Sequence, residues 1–196
     1  MRILTRLQRF LRDPRGTASV EAIIILPLLL WGYIATFVYF DAFRMQNLNL
    51  KAAYTIVDMI SRETGTINPT YINGLNTVYD YLTNTNAATS IRVSSVNWDA
   101  ATGRYNVQWS YATKSQPVMD NTQVNLFKTK LPKLPVGDTL IVVETNLPFT
   151  PDFPNLNLGV KATTFTQFIS TRPRFTSKVC YTSTVPMPNP APACAS

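Results

Sequence analysis

In 196 residues there is no histidine, which excludes Ser–His and Cys–His nucleophilic pairs and imidazole metal sites. The formal charge of +7 suggests nucleic acid only until the leader is counted: Arg2, Arg6, Arg9, Arg12 and Arg15 against Asp13 hold +4 of it, and the rest is mildly basic. No glycine-rich phosphate loop occurs, and Asp99, Asp120, Asp138, Glu144 and Asp152 fall in or beside predicted turns and strand ends without motif spacing, so no enzyme, cofactor, metal or nucleic-acid partner is expected.

Residues 1–16 form a basic leader. Ile3, Leu4, Leu7, Phe10 and Leu11 share one helical face with arginines opposite, which suits a helix lying on an anionic membrane surface and equally a basic tail. Pro14 and Gly16 break any helix, and the chain is extended and unobstructed there. A cut after Gly16 removes the leader and leaves Thr17 as a new terminal ammonium. Ala22–Phe40 then runs for 19 residues without a charge, roughly 28 Å as a helix and close to a bilayer core. It ends in Tyr39-Phe40-Asp41 and not at a small-residue signal-peptidase site, so a retained span is expected. The basic leader places the N-terminus in the cytoplasm and the remainder outside, with Trp31, Tyr33, Phe37, Tyr39 and Phe40 as the outer aromatic band. Glu21 admits two readings: a carboxylate at headgroup level, or one in lipid that pairs with the free amine of a neighbouring subunit.

Periodicity continues past the span. Met45, Leu48, Ala52, Ile56, Met59 and Ile60 form an apolar stripe with Arg44, Asn47, Lys51, Asp58 and Arg62 opposite, predicting one helix over 17–63, with Asp58 and Arg62 spaced to pair. Over residues 12–62 the chain resembles a known family. Gly16, four residues and then Glu21 ahead of an apolar helix resembles the processing motif of type IV pilins and pseudopilins. More closely, Arg15-Gly-Thr-Ala-Ser-Val-Glu-Ala-Ile-Ile-Ile-Leu-Pro-Leu-Leu-Leu30 resembles the start of TadE/TadG-like minor pseudopilins of the tight-adherence pilus. Ala22 stands where that family often has Tyr or Phe, and Pro27 matches a proline that bends related helices. The resemblance implies a prepilin-type peptidase acting between Gly16 and Thr17, Glu21 in subunit assembly, other pilins and the pilus machinery as partners, and residence in the bacterial inner membrane.

Gly65 is expected to end the long helix and Asn68-Pro69 to start a second, reaching about Thr83 with Tyr71, Leu75, Val78, Tyr79 and Leu82 inward. Ile91, Val93 and Val96–Trp98, then Tyr105–Tyr111, alternate as strands of a hairpin turned at Asp99–Gly103. Trp98, Trp109 and Tyr111 are expected to be core, their alternative use being a carbohydrate platform. Asn121–Leu131 reads as a short helix, Thr139–Thr145 as a central strand after the Gly137-Asp138 turn, and Leu147–Leu158 as mostly loop. Ala162–Ile169 and Phe175–Tyr181 are expected to return to the sheet. Arg172-Pro-Arg-Phe175 between them resembles an element of TadE/TadG-like relatives and is equally explained as a basic strand edge. Cys180 and Cys194, both assigned outside, are expected to form a disulfide closing about 15 residues and tying down the proline-rich tail 185–196, free thiols being the alternative if the orientation is reversed.

These readings give an α+β protein: leader 1–16, long helix 17–63 with its membrane part about 22–40, an outer domain 64–184 whose small antiparallel sheet packs on that helix, and the tail 185–196. The expected function is non-catalytic Tad pilus assembly or priming. Its alternative is an unprocessed single-pass anchor displaying a binding or adhesion domain.

Overall fold

The computed structural model describes residues 17–85, 87–114, 116–154 and 158–182. The leader with Gly16, the tail and Cys194 lie outside the described residues. Two compact units emerge: the chain up to Ala42 together with Pro151–Val160, and Phe43–Thr150 with the chain from Lys161 onwards.

One helix, α1 (Thr17–Ser61), runs uninterrupted for 45 residues, roughly 68 Å. It continues through Pro27, whose missing N–H leaves the carbonyl of Ile23 without its intrahelical donor. The helix stops four residues before Gly65. Asn68 then caps α2 (Pro69–Thr83): its Oδ1 accepts from the Tyr71 N–H at 2.8 Å, Pro69 sits at the start, and Asn84 closes the other end in a left-handed conformation.

The sheet contains β1 (Ser90–Asp99), β2 (Arg104–Ala112), β3 (Thr139–Phe149) and β4 (Thr163–Thr171) in the order β2-β1-β3-β4, every pair antiparallel. The β1–β2 hairpin turns where expected: Asp99 accepts from Ala101 and Thr102, and Gly103 takes a φ of +63°, a region open to glycine. Thr139–Thr145 is central, as its apolar run implied, but the strand extends to Phe149, so Leu147, Pro148 and Phe149 are paired residues and not loop.

Each face of the sheet is covered. On one, Ile91, Val93, Trp109, Ile141 and Val143 pack with Ala52, Ile56, Val57 and Ile60 of α1 and with Ile72, Leu75 and Tyr79 of α2. On the other, Val96, Tyr105, Val107, Leu140 and Val142 pack with Met119, Val124, Leu131 and Leu134. That second layer rests on α3 (Asn121–Leu126), capped by Asp120, and a 3-10 turn at Lys128–Lys130, where one longer helix was expected. The prolines at 132 and 135 do not explain so early an end; Phe127 leaves helical geometry and packs on Phe168 with ring centroids 4.9 Å apart.

Regular alternation does not hold along β2. Ser95 faces Trp109 while Val96 faces Val107, so Gln108 is an extra residue and the strand is bulged there. Tyr105 and Val107 therefore belong to one core cluster and Trp109 to the other. The α1 stripe is rotated in a similar way: Asn49, Ala53 and Val57 are buried, whereas Met59 is 37% exposed. Alanines 52 and 53 have the small side chains that suit close packing, which puts the contact line along them. Phe175–Tyr181 forms no strand. The Arg174 N–H donates to the Ser61 carbonyl at 2.8 Å, holding this segment at the end of α1, and a parallel bridge joins Ile67 to Tyr181.

Asn49 organises the buried polar chemistry of this domain. Its Oδ1 accepts from the Tyr79 hydroxyl at 2.6 Å and the Thr145 hydroxyl at 2.9 Å, and its Nδ2 donates to the Phe165 carbonyl at 2.8 Å. Burial, the largest influence, pushes the Tyr79 phenol up to about 12. A phenol raised on folding keeps its stabilising contribution below pH 10 and loses it as pH climbs through about 12. Thermal melts of the detergent-solubilised chain should therefore fall over that window. Tyr79→Phe should fall less steeply there, while being about 1 kcal/mol less stable at neutral pH. An unchanged alkaline slope would show that Tyr79 is not the group responsible.

Candidate functional site

The first half of α1 is the most unusual surface of the protein. Most of its large apolar side chains stand between 41% (Ile25) and 73% (Tyr33) exposed, with Ile34 half-buried and Val38 buried, whereas Ile56 and Ile60 in the second half are fully buried. The helix is long and apolar enough to cross a membrane. Within it, Thr36 donates to the Gly32 carbonyl at 2.8 Å, so its hydroxyl is satisfied without water.

Glu21 is exposed and shares a stripe with Ala22, Ile25, Leu26 and Leu29. Thr17, where α1 begins, precedes it by four residues, roughly 6 Å along the axis. Pro27 lies one to two turns further on in the same helix. Thr17, Glu21 and Pro27 are thus brought together by one element alone, and Gly16 lies outside the described residues. Cys180 adjoins Tyr181 beside the Ile67 bridge, while Cys194, the other half of the expected disulfide, lies outside the described residues.

A polar hollow formed by Asp99, Thr102, Arg104, Asn106, Asn121, Thr122 and Asn125 is the other concave candidate. Much of its hydrogen-bonding capacity is already used by the fold. Asn125 Oδ1 accepts from the Tyr105 N–H at 3.0 Å, Asn121 Oδ1 accepts from the Val107 N–H at 2.7 Å, and Asn125 Nδ2 returns a bond to the Tyr105 carbonyl. Two asparagines thereby satisfy the outer backbone edge of β2, which would otherwise invite another strand. Donation from the Thr102 hydroxyl, and then from the Ala101 N–H, holds the Asp99 carboxyl below its ordinary range, so it remains an ionised turn-former.

Trp98, Trp109 and Tyr111 do not make a common platform. Lys128 covers Trp98, its Nζ 5.2 Å from the ring centre, and Tyr105 meets Trp98 edge-on. Trp109 is buried in the opposite layer, stacked on Tyr181 and donating to the Val179 carbonyl at 2.9 Å.

The carboxylates are structural where partners are seen. Asp58 accepts from Arg62 at 2.9 Å, as its spacing suggested, and also forms an ion pair with Arg174 at 2.8 Å; Asp138 lies 3.2 Å from Arg172. Arg172 and Arg174 thus bind acidic groups of the domain, and the element is a clamp on the helix end and the β3 turn, not a paired strand. Glu144, expected at a strand end, is instead buried within β3 and bonded to Arg92 directly across on β1. Arg92 also donates to the Pro117 carbonyl at 2.9 Å and to Gln123 at 3.2 Å. Sequence reasoning missed this pair because neither residue interrupts an apolar run in a revealing way; only the register β1–β3 places them opposite. Among the described residues no group of three or more histidine, cysteine or acidic side chains could hold a metal.

No family model, no curated protein and no solved structure matches the chain. Removing one member of the buried pair should be expensive: Arg92→Ala strands a buried carboxylate and should cost about 3–5 kcal/mol, whereas Arg92→Met with Glu144→Leu should be close to neutral. Urea or thermal unfolding measures both. A single substitution as mild as the double one would mean that the pair is not desolvated.

Proposed function

We propose that this chain is a non-catalytic, pseudopilin-like subunit that takes part in assembling or priming a tight-adherence pilus. Residues 22–40 hold it in the bacterial inner membrane, the leader faces the cytoplasm and the domain from Phe43 onwards faces outwards. A prepilin-type peptidase cuts between Gly16 and Thr17. The new ammonium at Thr17 then pairs with Glu21 of an adjacent subunit, and Pro27 provides a bend at which neighbouring helices fit together. A Cys180–Cys194 disulfide ties the tail to the domain in the oxidising exterior.

One observation carries most of this reading: a membrane-length half-helix keeps most of its large apolar side chains uncovered and yet includes a carboxylate, Glu21, near its start. A charge placed in hydrocarbon costs on the order of 2–3 kcal/mol on insertion scales, and a cationic partner offsets that cost. The motif around Gly16 supplies such a partner in the next subunit. The sheet domain contributes shape and stability to the exterior surface and asks for no chemistry of its own.

N-terminal sequencing of protein from its native membrane should begin at Thr17, and Gly16→Leu should leave the leader attached. Retention of Met1 in the unaltered protein would support the tethered binding domain instead. Glu21→Gln should insert normally but lose co-purification with other pilus subunits. Undiminished assembly by that variant would contradict the pairing role.

A further inference from the structure

Among the described residues of the β3–β4 connection, 151–154 and 158–160 lie outside the sheet domain. They form a compact unit with the chain up to Ala42, so the segment between β3 and β4 is an accessory to the apolar half of α1. The contact is specific at one place. Gly159 has a φ of +82°, and a Cβ built on it would stand 3.0 Å from the Tyr39 hydroxyl oxygen, at the end of the apolar run. Within this unit Val38, Pro151 and Leu158 are buried, while Phe153 is 41% exposed.

We propose that this segment is a second membrane contact, seated in the headgroup layer of the bilayer that α1 crosses, with Phe153 as its apolar anchor. The proposal rests on the membrane reading of residues 22–40. Tyr39 and Phe40 belong to the aromatic band that marks the outer interface, so whatever touches Tyr39 lies at that depth. Irregular backbone cannot enter hydrocarbon because its N–H and C=O groups would lack partners, which confines the segment to the interface. Its composition suits that layer. Pro151 and Pro154 bring no N–H donors, Phe153 is an aromatic of the kind enriched there, and Asp152 keeps the contact shallow. A wedge of this kind beside the helix gives the chain two points of attachment to the surface, which restrains rotation of α1 about its own axis.

The test places the photoreactive analogue p-benzoylphenylalanine at Phe153, at Phe37 in the span and at Val136, exposed in the domain, each in the full chain reconstituted in phospholipid nanodiscs. Phe153 belongs to neither core cluster, so the replacement leaves the fold intact. Irradiation should shift the mass by one phospholipid at positions 153 and 37 and not at 136. An adduct at 37 without one at 153 overturns the second contact and leaves the span standing. No adduct at 37 overturns the span and the inference with it. Adducts at 136 as well as at 153 would mean that the label reports general proximity to lipid, and the specific contact is refuted.

Discussion

Three hydrogen bonds converge on the Asn49 carboxamide, from Tyr79 and Thr145 and to Phe165, and they tie α1 to α2, β3 and β4 at a fully buried point. The apolar stripe of Ala52, Ala53, Ile56, Val57 and Ile60 supplies burial, but such a surface tolerates small rotations of a helix. A carboxamide does not. Turning α1 by one residue would swing Asn49 about 100° away from its partners and leave several polar groups buried without bonds, at a cost of roughly 1–3 kcal/mol for each. The long helix is thus held at a single rotational setting by a polar group, while its strength of attachment comes from its neighbours in the stripe.

The opposite face of the sheet repeats the division of labour. Val96, Tyr105, Val107, Leu140 and Val142 supply apolar burial, and Arg92 with Glu144 fixes how β1 and β3 align and draws in the segment around Pro117 and Gln123. A one-residue slip in that pairing would separate the two charges and reverse the faces of every side chain on one strand. The bulge at Gln108 is what allows one short strand, β2, to feed both layers, with Tyr105 in one and Trp109 in the other.

Periodicity and capping made much of this architecture legible. The long helix, Asn68 as a cap, the Asp99–Gly103 turn and the central position of Thr139–Thr145 all follow from local chemistry that acts over a few residues. What could not be read depended on distant partners. Asn49 looks like one more polar residue among Asn47 and Lys51 until Tyr79, Thr145 and Phe165 are placed around it. Glu144 looks like a strand terminus until the register brings Arg92 opposite. Phe175–Tyr181 has strand-like residues, but Arg174 is held by Ser61 and Asp58, and that contact decides its course. At the candidate site the situation is reversed. The exposed apolar half of α1 and Glu21 were evident from composition alone, because a long uncharged run is recognised without reference to any partner within the chain. The approach of Gly159 to Tyr39 was not, since proline and glycine announce a loop without saying what it touches.

If the exposed half of α1 crosses a membrane, as we propose, a helix that keeps one geometry into its buried half would link that membrane to the sheet domain. The proposed assembly role depends on α1 being continuous where its exposed half gives way to its buried half. Amide hydrogen exchange of the chain in lipid nanodiscs tests this most directly. The account predicts slow exchange over 22–40, matching that over 52–60, with no fast segment between them across 41–49. Rapid exchange over 22–40, or a fast break between the two stretches, would contradict it.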